Sequence, residues 1–202
     1  MTNARDGPST APAGEWYNSY QTRAMQDHDA GAVRGIWMTG FGHWTDRDEK
    51  WLTEALAPRY GARGRVAVHN GRVLGYTVYE FATGAAADTY AHDYYGGADD
   101  DVVGIIDMVA TRHGCESAGI AGSLVDDALH DFEEADADAV VAVSWRREST
   151  YDSAPLFESR GFEAVATLDG IYREFRSPCP ECGTGKCECQ ATMFVRGGDA
   201  DE

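Results

Sequence analysis

The segment from Val102 to Trp145 constrains the fold more than any other part of the chain. It opens with the apolar run VVGIIDMVAT, passes through a glycine-bearing turn into a helix predicted over 119–134, and ends in the valine-rich run Ala139–Trp145. The predicted helix has one apolar side and one acidic side, so one face is buried and the other is solvated. Two apolar strands joined through such a helix are expected to be parallel neighbours. The segment therefore predicts a β-α-β core.

Flanking patterns predict the rest of an α+β domain. Asn70-Gly71 lies between two β-rich stretches and is a strong sequence signal for a hairpin turn. A polar excursion follows over 85–101. The other predicted elements are a strand near 20–25, helices from Asp27 or Asp29 to Phe41 and from Asp46 or Asp48 to before Pro58, a short helix near 154–160 that Gly161 ends, and strands near 162–172 and 191–195.

The length of 202 residues fits one domain, because domains commonly hold about 100–200 residues. We expect this domain to span 16–196, with a flexible tail over 1–15 and an acidic tail over 197–202. No apolar run approaches the ~20 residues needed to cross a bilayer, and the N-terminus lacks the apolar core of a signal peptide. These features predict a cytoplasmic protein that does not enter a membrane.

The acidic composition bears on the choice of partners. There are 34 acidic and 17 basic residues, which give a formal net charge of -17. Such a field repels nucleic-acid backbones and anionic lipids, and it would attract a cationic amine. The same composition is typical of a halophilic protein, whose surface carboxylates are screened by concentrated salt. In that case the charge says little about the substrate.

The turn before the predicted core helix is the first candidate functional site. Gly119, Ala121 and Gly122 carry little or no side chain where the helix begins. Unpaired N–H groups and the helix dipole favour an anion at such a position. Packing alone would also explain small residues there, and the local spacing does not separate the two interpretations.

The order of elements and two short motifs resemble the GNAT superfamily of acetyl-CoA-dependent N-acetyltransferases, from Tyr20 to Val195. Residues 116–121 (ESAGIA) take the place of the family's Gln/Arg-x-x-Gly-x-Gly/Ala turn, and Phe157–Phe162 (FESRGF) looks like its Tyr-Glu-x-x-Gly-Phe segment. The resemblance implies an α+β fold with a mixed central sheet of about six to seven strands flanked by helices. It also implies transfer of an acetyl group from acetyl-CoA to a primary amine by direct attack.

The resemblance also implies contacts with acetyl-CoA. Two positions depart from the family pattern. Glu116 replaces Gln or Arg, and its charge opposes a pyrophosphate unless it points away or is paired with Arg112 or His113. Phe157 replaces a tyrosine that protonates the leaving thiolate in many members, and it cannot donate a proton. The implied contact residues are Met108, Val109, Ala110, Glu116, Ser117, Ala118, Gly119, Ile120, Ala121 and Phe157.

Asp107, Glu148 and Tyr151 are the candidates for proton transfer. Asp107 interrupts an apolar strand, where a carboxylate is costly unless it is paired or exposed in a cleft. Burial would raise its pKa toward the range that suits a general base. Glu148 and Tyr151 follow the second core strand, and Tyr151 could replace the missing acid. The alternatives without catalysis are that Asp107 faces solvent or caps a neighbouring segment, and that Tyr151 is an ordinary surface residue.

Four clustered cysteines give the most specific local signal in the chain. Cys179, Cys182, Cys187 and Cys189 form two close pairs with turn-forming residues between them. Four thiolates can bind tetrahedral Zn²⁺ at about 2.3 Å and leave no position for a catalytic water. We therefore expect a structural zinc knuckle over 178–190, between the last two strands, which could dock a partner or shape the acceptor cleft. An unmetallated thiol loop, two local disulfides and an iron-sulfur cluster are the alternatives.

The leading functional hypothesis is an N-acetyltransferase that uses acetyl-CoA and a small-molecule or protein amine. The runner-up is a non-catalytic acyl-CoA-sensing or protein-interaction module with the same fold, which Glu116 and Phe157 favour. The net charge disfavours a zinc-dependent nucleic-acid binder. The acceptor amine and the oligomeric state stay open, and a homodimer is one option.

Overall fold

A computed structural model describes residues 19–42, 44–57, 61–83, 98–147, 152–170, 179–183 and 187–198. Glu148 and Tyr151 lie outside the described residues, as do the expected N-terminal tail and residues 199–202 of the acidic tail. In the described part of the chain, no helix is both long and apolar enough to span a membrane.

The helices and strands follow the order predicted from the sequence. Several boundaries differ by one or two residues, and the strand predicted over 162–172 runs from Glu163 to Asp169 in the described residues. A 3-10 turn at Asp27–Asp29 precedes the first helix. The elements are β1 (Gln21–Ala24), α1 (Ala30–Phe41), α2 (Asp46–Leu56), β2 (Ala62–His69), β3 (Arg72–Thr83), β4 (Val102–Thr111), α3 (Ile120–Glu134), β5 (Ala139–Trp145), α4 (Ala154–Glu158), β6 (Glu163–Asp169) and β7 (Gln190–Gly197).

The described strands form one seven-stranded mixed sheet in the order β1-β2-β3-β4-β5-β7-β6. Among the described strands, only β4 and β5 pair in parallel, and the other neighbours are antiparallel. The parallel pair is joined through α3, as the apolar-strand pattern predicts. The predicted α+β fold with a mixed sheet of six to seven strands is therefore confirmed.

The predicted Asn70-Gly71 hairpin is also confirmed. Both residues have positive φ, 48° for Asn70 and 76° for Gly71, and they join β2 directly to β3. This conformation matches the right-handed twist of the two strands, which explains why asparagine and glycine occur there.

Helices cover both faces of the sheet. Val78 packs in a cluster with α1 and α2, whereas the next residue, Tyr79, packs with α3. Two glycines bring α3 close to the strands. A Cβ on Gly75 would lie 2.8 Å from Ile120 Cγ2, and a Cβ on Gly104 would lie 2.6 Å from the ring of Phe132. The absence of side chains at these two positions therefore seats both ends of α3 on the sheet.

Tyr79 ties α3 to the β2-β3 hairpin. Its side chain is buried, and its hydroxyl donates to the carboxylate of Asp131 on α3. Arg65 donates from Nε to the Tyr79 hydroxyl at 3.2 Å and from Nη2 to Asp131 Oδ1 at 3.0 Å. Burial, reinforced by the hydrogen bond to Asp131, raises the pKa of Tyr79 to about 12. Burial acts to raise the pKa of Asp131, but the hydrogen bonds from Tyr79 and Arg65 outweigh it and hold that pKa below its usual range.

Replacing Tyr79 with phenylalanine should lower the free energy of unfolding at neutral pH by about 1–3 kcal/mol, because the half-buried carboxylate of Asp131 loses a donor. The pKa of Tyr79 is raised in the folded protein, so its contribution is present below about pH 10, the pKa in the unfolded chain, and is lost as the pH rises toward about 12. The difference between wild type and Tyr79→Phe should therefore shrink over this range. Denaturant unfolding as a function of pH measures the difference, and a gap that stays constant up to about pH 11 would contradict the assignment.

Candidate functional site

The parallel strands β4 and β5 separate partway along their length. Their pairing runs from Val103 opposite Ala139 to Ile106 opposite Ala142. Beyond these pairs β4 continues along β3, and β5 continues along β7. Residues 107–111 and 143–145 are all described, and no β4-β5 pair occurs among them. An opening, which we call the strand gap, therefore lies between the carboxyl ends of the two strands, beside residues 107–111.

A β-bulge places Asp107 at the start of the strand gap. The register between β3 and β4 skips Asp107, between Ile106 and Met108. The Asp107 side chain is exposed, and it accepts a hydrogen bond from Trp51 Nε1 on α2. Met108 packs in the cluster of α1 and α2, so the extra residue puts both side chains on the same side of the sheet. The carboxylate is therefore accessible at the rim of the gap rather than enclosed in the sheet.

The turn between β4 and α3 contains three residues with positive φ. These are Gly114 at 84°, Ser117 at 61° and Gly119 at 76°. Glycine adopts this conformation without the steric cost that a side chain brings. Gly119 is the N-cap residue of α3, so the helix begins at Ile120, one position after the start predicted from the sequence. The turn thus reverses the chain tightly between the central strand and the helix.

The start of α3 offers main-chain donors. No side chain caps this helix. Its first hydrogen bond runs from the Ser123 N–H to the Gly119 carbonyl, at 3.0 Å. The N–H groups of Ile120, Ala121 and Gly122 precede that bond and have no partner within the helix. Together with the helix dipole, they make this end of α3 suited to an anion.

Glu116, the acidic residue in the turn, is paired within the turn itself. Its Oε2 accepts the Gly114 N–H at 2.7 Å, and its Oε1 lies 3.2 Å from His113 Nδ1. The sequence predicts Arg112 or His113 as a partner of Glu116, and in the structure the partner is His113. Arg112 instead donates from Nε to the carbonyl of Val73 at 2.9 Å. The carboxylate is therefore turned back onto the residues before it.

Arg160 places a cation beside the first turn of α3. It forms two contacts with Asp126, from Nε to Oδ1 at 2.6 Å and from Nη2 to Oδ2 at 3.1 Å. A Cβ on Gly122 would lie 2.5 Å from Arg160 Nη2, so the guanidinium crosses the helix where glycine leaves room. Arg160 belongs to the FESRGF segment, and this segment therefore meets the turn in space.

Phe157, the first residue of that segment, is buried. Its ring centroid lies 5.4 Å from that of Phe162 and 5.7 Å from that of Phe194. Its exposed fraction is 2%. The phenylalanine therefore serves the core under α4, and it brings no proton donor to this position.

Cys115 in the turn is also buried. Burial raises the pKa of its thiol, and the positive charges of Arg72 and Arg112 only partly oppose this effect. A thiol that keeps its proton is a poor nucleophile. Cys115 is thus better described as a small packing residue than as a covalent acyl carrier.

The four clustered cysteines come together between β6 and β7. Their Sγ atoms all lie within 4.8 Å of one another. Cys189 lies 3.4 Å from Cys182 and 3.6 Å from Cys179, sulfur to sulfur. These separations exceed the roughly 2.05 Å of a disulfide bond and suit ligands around a single ion.

A tight turn presents the first pair of thiols. The N–H of Cys179 donates to the carbonyl of Gly183 at 2.9 Å, and the N–H of Gly183 donates back at 2.8 Å. Burial raises the pKa of Cys187 and of Cys189, and the indole of Trp145 acts in the opposite direction on Cys189. For Cys179, main-chain donors and the neighbouring thiols outweigh burial and lower the pKa. A divalent cation would offset the cost of enclosing several thiolates, so the donor set fits a metal.

Three contacts of the site were missed by sequence reasoning. Trp51 meets Asp107 across 56 positions, and Arg160 meets Asp126 across 34. Arg147 meets Glu181, beside the cysteines, across a separation of 34. Pattern and spacing carry no information on such distant pairs. Only Arg160 had a local signal, because it lies inside the FESRGF motif.

No family model matches the sequence, and no curated protein is detectably similar to it. Solved structures are similar in fold. Arabidopsis thaliana NAA60 in complex with a bisubstrate analogue aligns with a TM-score of 0.71 at 12% identity, over 91% of this chain and 100% of that one. The same protein in complex with acetyl-CoA aligns with a TM-score of 0.69 at 13% identity, over 88% and 98% of the two chains. A Desulfovibrio desulfuricans protein assigned to the acetyltransferases of the GNAT family aligns at 0.60, with 18% identity, over 89% and 99%.

At these identities the comparisons bear on the fold. The similarity covers nearly the whole of each solved chain, so it concerns a complete domain rather than a shared motif. It agrees with the sheet order and with the α3 crossover described above. The protein therefore has the GNAT fold, and it carries a four-cysteine cluster between β6 and β7.

Proposed function

We propose that the protein is an N-acetyltransferase that transfers an acetyl group from acetyl-CoA to a primary amine by direct attack. The observation that carries the proposal is the strand gap beside the uncapped start of α3. Main-chain donors lie on one side of this opening, and a carboxylate lies on the other side, next to α2. The similarity in fold to the acetyl-CoA complex of NAA60 supports the same function.

The start of α3 fits two linked phosphoryl groups. The first three N–H groups of the helix and about half a positive charge from its dipole favour a pyrophosphate. Among the described residues, a Cβ on Gly119 would meet only the Tyr20 hydroxyl, at 3.6 Å, so these residues leave space in front of the turn. The Arg160 guanidinium lies beside Gly122, where it is paired with Asp126. Glu116 is engaged within the turn, which reduces its opposition to an anion.

The acetyl end would lie along β4 at Met108, Val109 and Ala110. When bound there, acetyl-CoA supplies an activated thioester. In a strand, main-chain groups alternate between the two edges, and the β5 side of β4 has no strand partner at these residues. N–H groups on that edge are positioned to polarise a carbonyl oxygen, as in an oxyanion hole. Phe157, which is buried in the core under α4, would support this end of the site from beneath.

Asp107 is our candidate for accepting the proton of the amine. Its carboxylate is exposed at the rim of the gap, and Trp51 Nε1 holds it by a hydrogen bond. A positioned base contributes about 10²–10⁴-fold to such a step. Phe157 cannot protonate the leaving thiolate, so Tyr151 is our candidate for that role and Glu148 a further candidate for proton transfer.

We also propose that the cysteine cluster binds one structural Zn²⁺ through Cys179, Cys182, Cys187 and Cys189. The four sulfur atoms converge, and three of the four side chains are buried. Four protein ligands complete a tetrahedral zinc and leave no coordination position for a substrate. The ion would fix the segment between β6 and β7 rather than act on the acetyl group.

A second candidate is a non-catalytic protein that binds acyl-CoA and signals through a partner. The buried Phe157, which has no proton to donate, favours this candidate. Such a protein would keep the pyrophosphate site and lose turnover. The two functions therefore differ in one measurable property, which is release of free thiol.

The enzyme hypothesis predicts thiol release when metal-replete protein is incubated with acetyl-CoA and a panel of primary amines that includes polyamines, amino-acid amides and short peptides. At least one amine should raise the rate above background hydrolysis. Asp107→Asn should lower kcat by about 100-fold, because the base is lost. Asp136→Asn is the matched control, since that exposed residue follows α3 and has a left-handed φ of 52° that asparagine tolerates. Tight CoA binding without turnover would favour the sensor, and the absence of CoA binding would contradict both.

The pyrophosphate site is tested by Gly119→Glu. A carboxylate at the N-cap should raise the Kd for CoA at least tenfold, about 1.4 kcal/mol, because it repels the phosphates and fills the space they need. Gly71→Glu is the control, because Gly71 has the same φ of 76°, open surroundings and a position in the remote hairpin. Isothermal titration calorimetry measures both variants. Equal affinities for CoA would remove the site assignment.

The metal site is tested by metal content. The purified protein should carry one Zn²⁺ per chain, measured by native mass spectrometry and by colorimetric release. Cys182→Ala should lose the ion readily, because only three ligands remain, whereas Cys115→Ala should retain it. Zinc content that is the same in both variants, or iron with acid-labile sulfide in the wild type, would contradict the proposal.

A further inference from the structure

Arg147 joins the cysteine cluster to the C-terminal end of α1. Its Nε donates to Glu181 Oε1 at 2.9 Å, inside the turn that carries Cys179 and Cys182. Its Nη1 donates to the carbonyl of Gly40, in the last turn of α1, at 2.7 Å. The Arg147 and Glu181 side chains are only 11% and 16% exposed. A pair so enclosed is strongly affected when one member moves away.

Aromatic contacts reinforce this connection. The Arg147 guanidinium lies 4.6 Å from the ring centroid of Trp145 and 5.8 Å from that of Phe41. The rings of Trp145, at the end of β5, and Phe41, at the end of α1, stack with their centroids 6.0 Å apart. Trp145 also packs against the buried cysteines, and Phe41 packs against this group. The cluster, β5 and α1 therefore share one contact surface.

Further aromatic contacts lead from Phe41 to the rim of the strand gap. The ring centroids of Phe41 and Trp37 lie 5.2 Å apart, and those of Trp37 and Trp51 lie 5.1 Å apart. Trp51 in turn donates its hydrogen bond to Asp107. The wall formed by α1 and α2 thus touches the cysteine cluster at one end and the candidate base at the other.

The position of Glu181 depends on the ligands that flank it. Glu181 lies between Cys179 and Cys182, so an ion bound by both thiolates would fix the main chain that carries the carboxylate. Two hydrogen bonds between Cys179 and Gly183 also hold this turn. If the turn loosened, Arg147 would lose its carboxylate partner. Its hydrogen bond to the carbonyl of Gly40, in the last turn of α1, would then be weakened.

We infer that Arg147 is a positioning residue that couples metal binding at the cysteine cluster to the α1-α2 wall beside Asp107. The inference rests on the metal site proposed above, and it extends the role of the ion from stapling a loop to ordering the acceptor side of the strand gap. The start of α3 lies outside this set of contacts. Metal removal should therefore disturb the α1-α2 wall and leave CoA binding unchanged.

Hydrogen-deuterium exchange on the full chain tests the coupling without any need for turnover. Zinc-loaded wild type is compared with protein stripped by a chelator under reducing conditions, and zinc content is measured in each sample. Stripping should raise the exchange rate of the last turn of α1 by about tenfold or more, because local opening becomes easier. Exchange in α3 and the Kd for CoA should change less than about twofold.

Variants at neighbouring arginines identify the residue responsible. Arg147→Gln should retain zinc and yet show, with zinc bound, the fast α1 exchange of stripped wild type. Removing zinc from this variant should not raise the exchange rate of α1 further. Arg147→Lys keeps the charge and one set of donors, so the exchange rate of α1 in this variant should lie between those of zinc-loaded wild type and Arg147→Gln. Arg146→Gln is the control, because Arg146 donates to Thr192 Oγ1 at 2.9 Å, away from α1.

The outcomes separate the coupling from the metal site. If zinc binds and its removal leaves α1 exchange unchanged, the coupling is wrong and the metal site stands. If Arg147→Gln with zinc bound exchanges like loaded wild type, Arg147 is not the connection and the inference is overturned, even where stripped wild type unfolds. If no zinc binds, both proposals are wrong.

Discussion

The separation of β4 from β5 after Ile106 and Ala142 is the constraint on which the rest of the site depends. A sheet that stayed paired would leave no open strand edge. The bulge at Asp107 occurs at the point of separation and places an extra residue on the side covered by α1 and α2. On the other side, Gly75 lets the first turn of α3 approach the sheet. Anion donors and a carboxylate are thereby held at opposite edges of one opening.

The electrostatics of the site run against those of the whole chain. The formal net charge is -17, yet the turn before α3 has its one acidic side chain, Glu116, engaged with Gly114 N–H, and it has Arg160 close to Gly122. In such a field a local anion site must be built from fixed donors, because long-range attraction is unfavourable. The opposite edge of the gap keeps its negative charge at Asp107. An anionic cosubstrate and a cationic amine would therefore approach different edges.

Sequence patterns predicted the elements better than the contacts between them. The Asn70-Gly71 hairpin, α3 and β5 carry local signals in turn chemistry and periodicity, and all three are observed. The convergence of four cysteines also followed from spacing, because short loops leave few alternatives. The extent of β4-β5 pairing, the bulge at Asp107 and the bridge from Arg147 to Gly40 depend on register and on residues far apart in the chain. No local pattern encodes these features.

In the proposed site, the first amides of α3 would receive the pyrophosphate. Titration of isotopically labelled protein with CoA, followed by amide NMR, tests it directly. The N–H resonances of Ile120, Ala121 and Gly122 should shift downfield and saturate together with the binding isotherm, while those of β6 at the far sheet edge should stay in place. CoA binding that saturates without moving these three resonances would rule out the proposed pyrophosphate site.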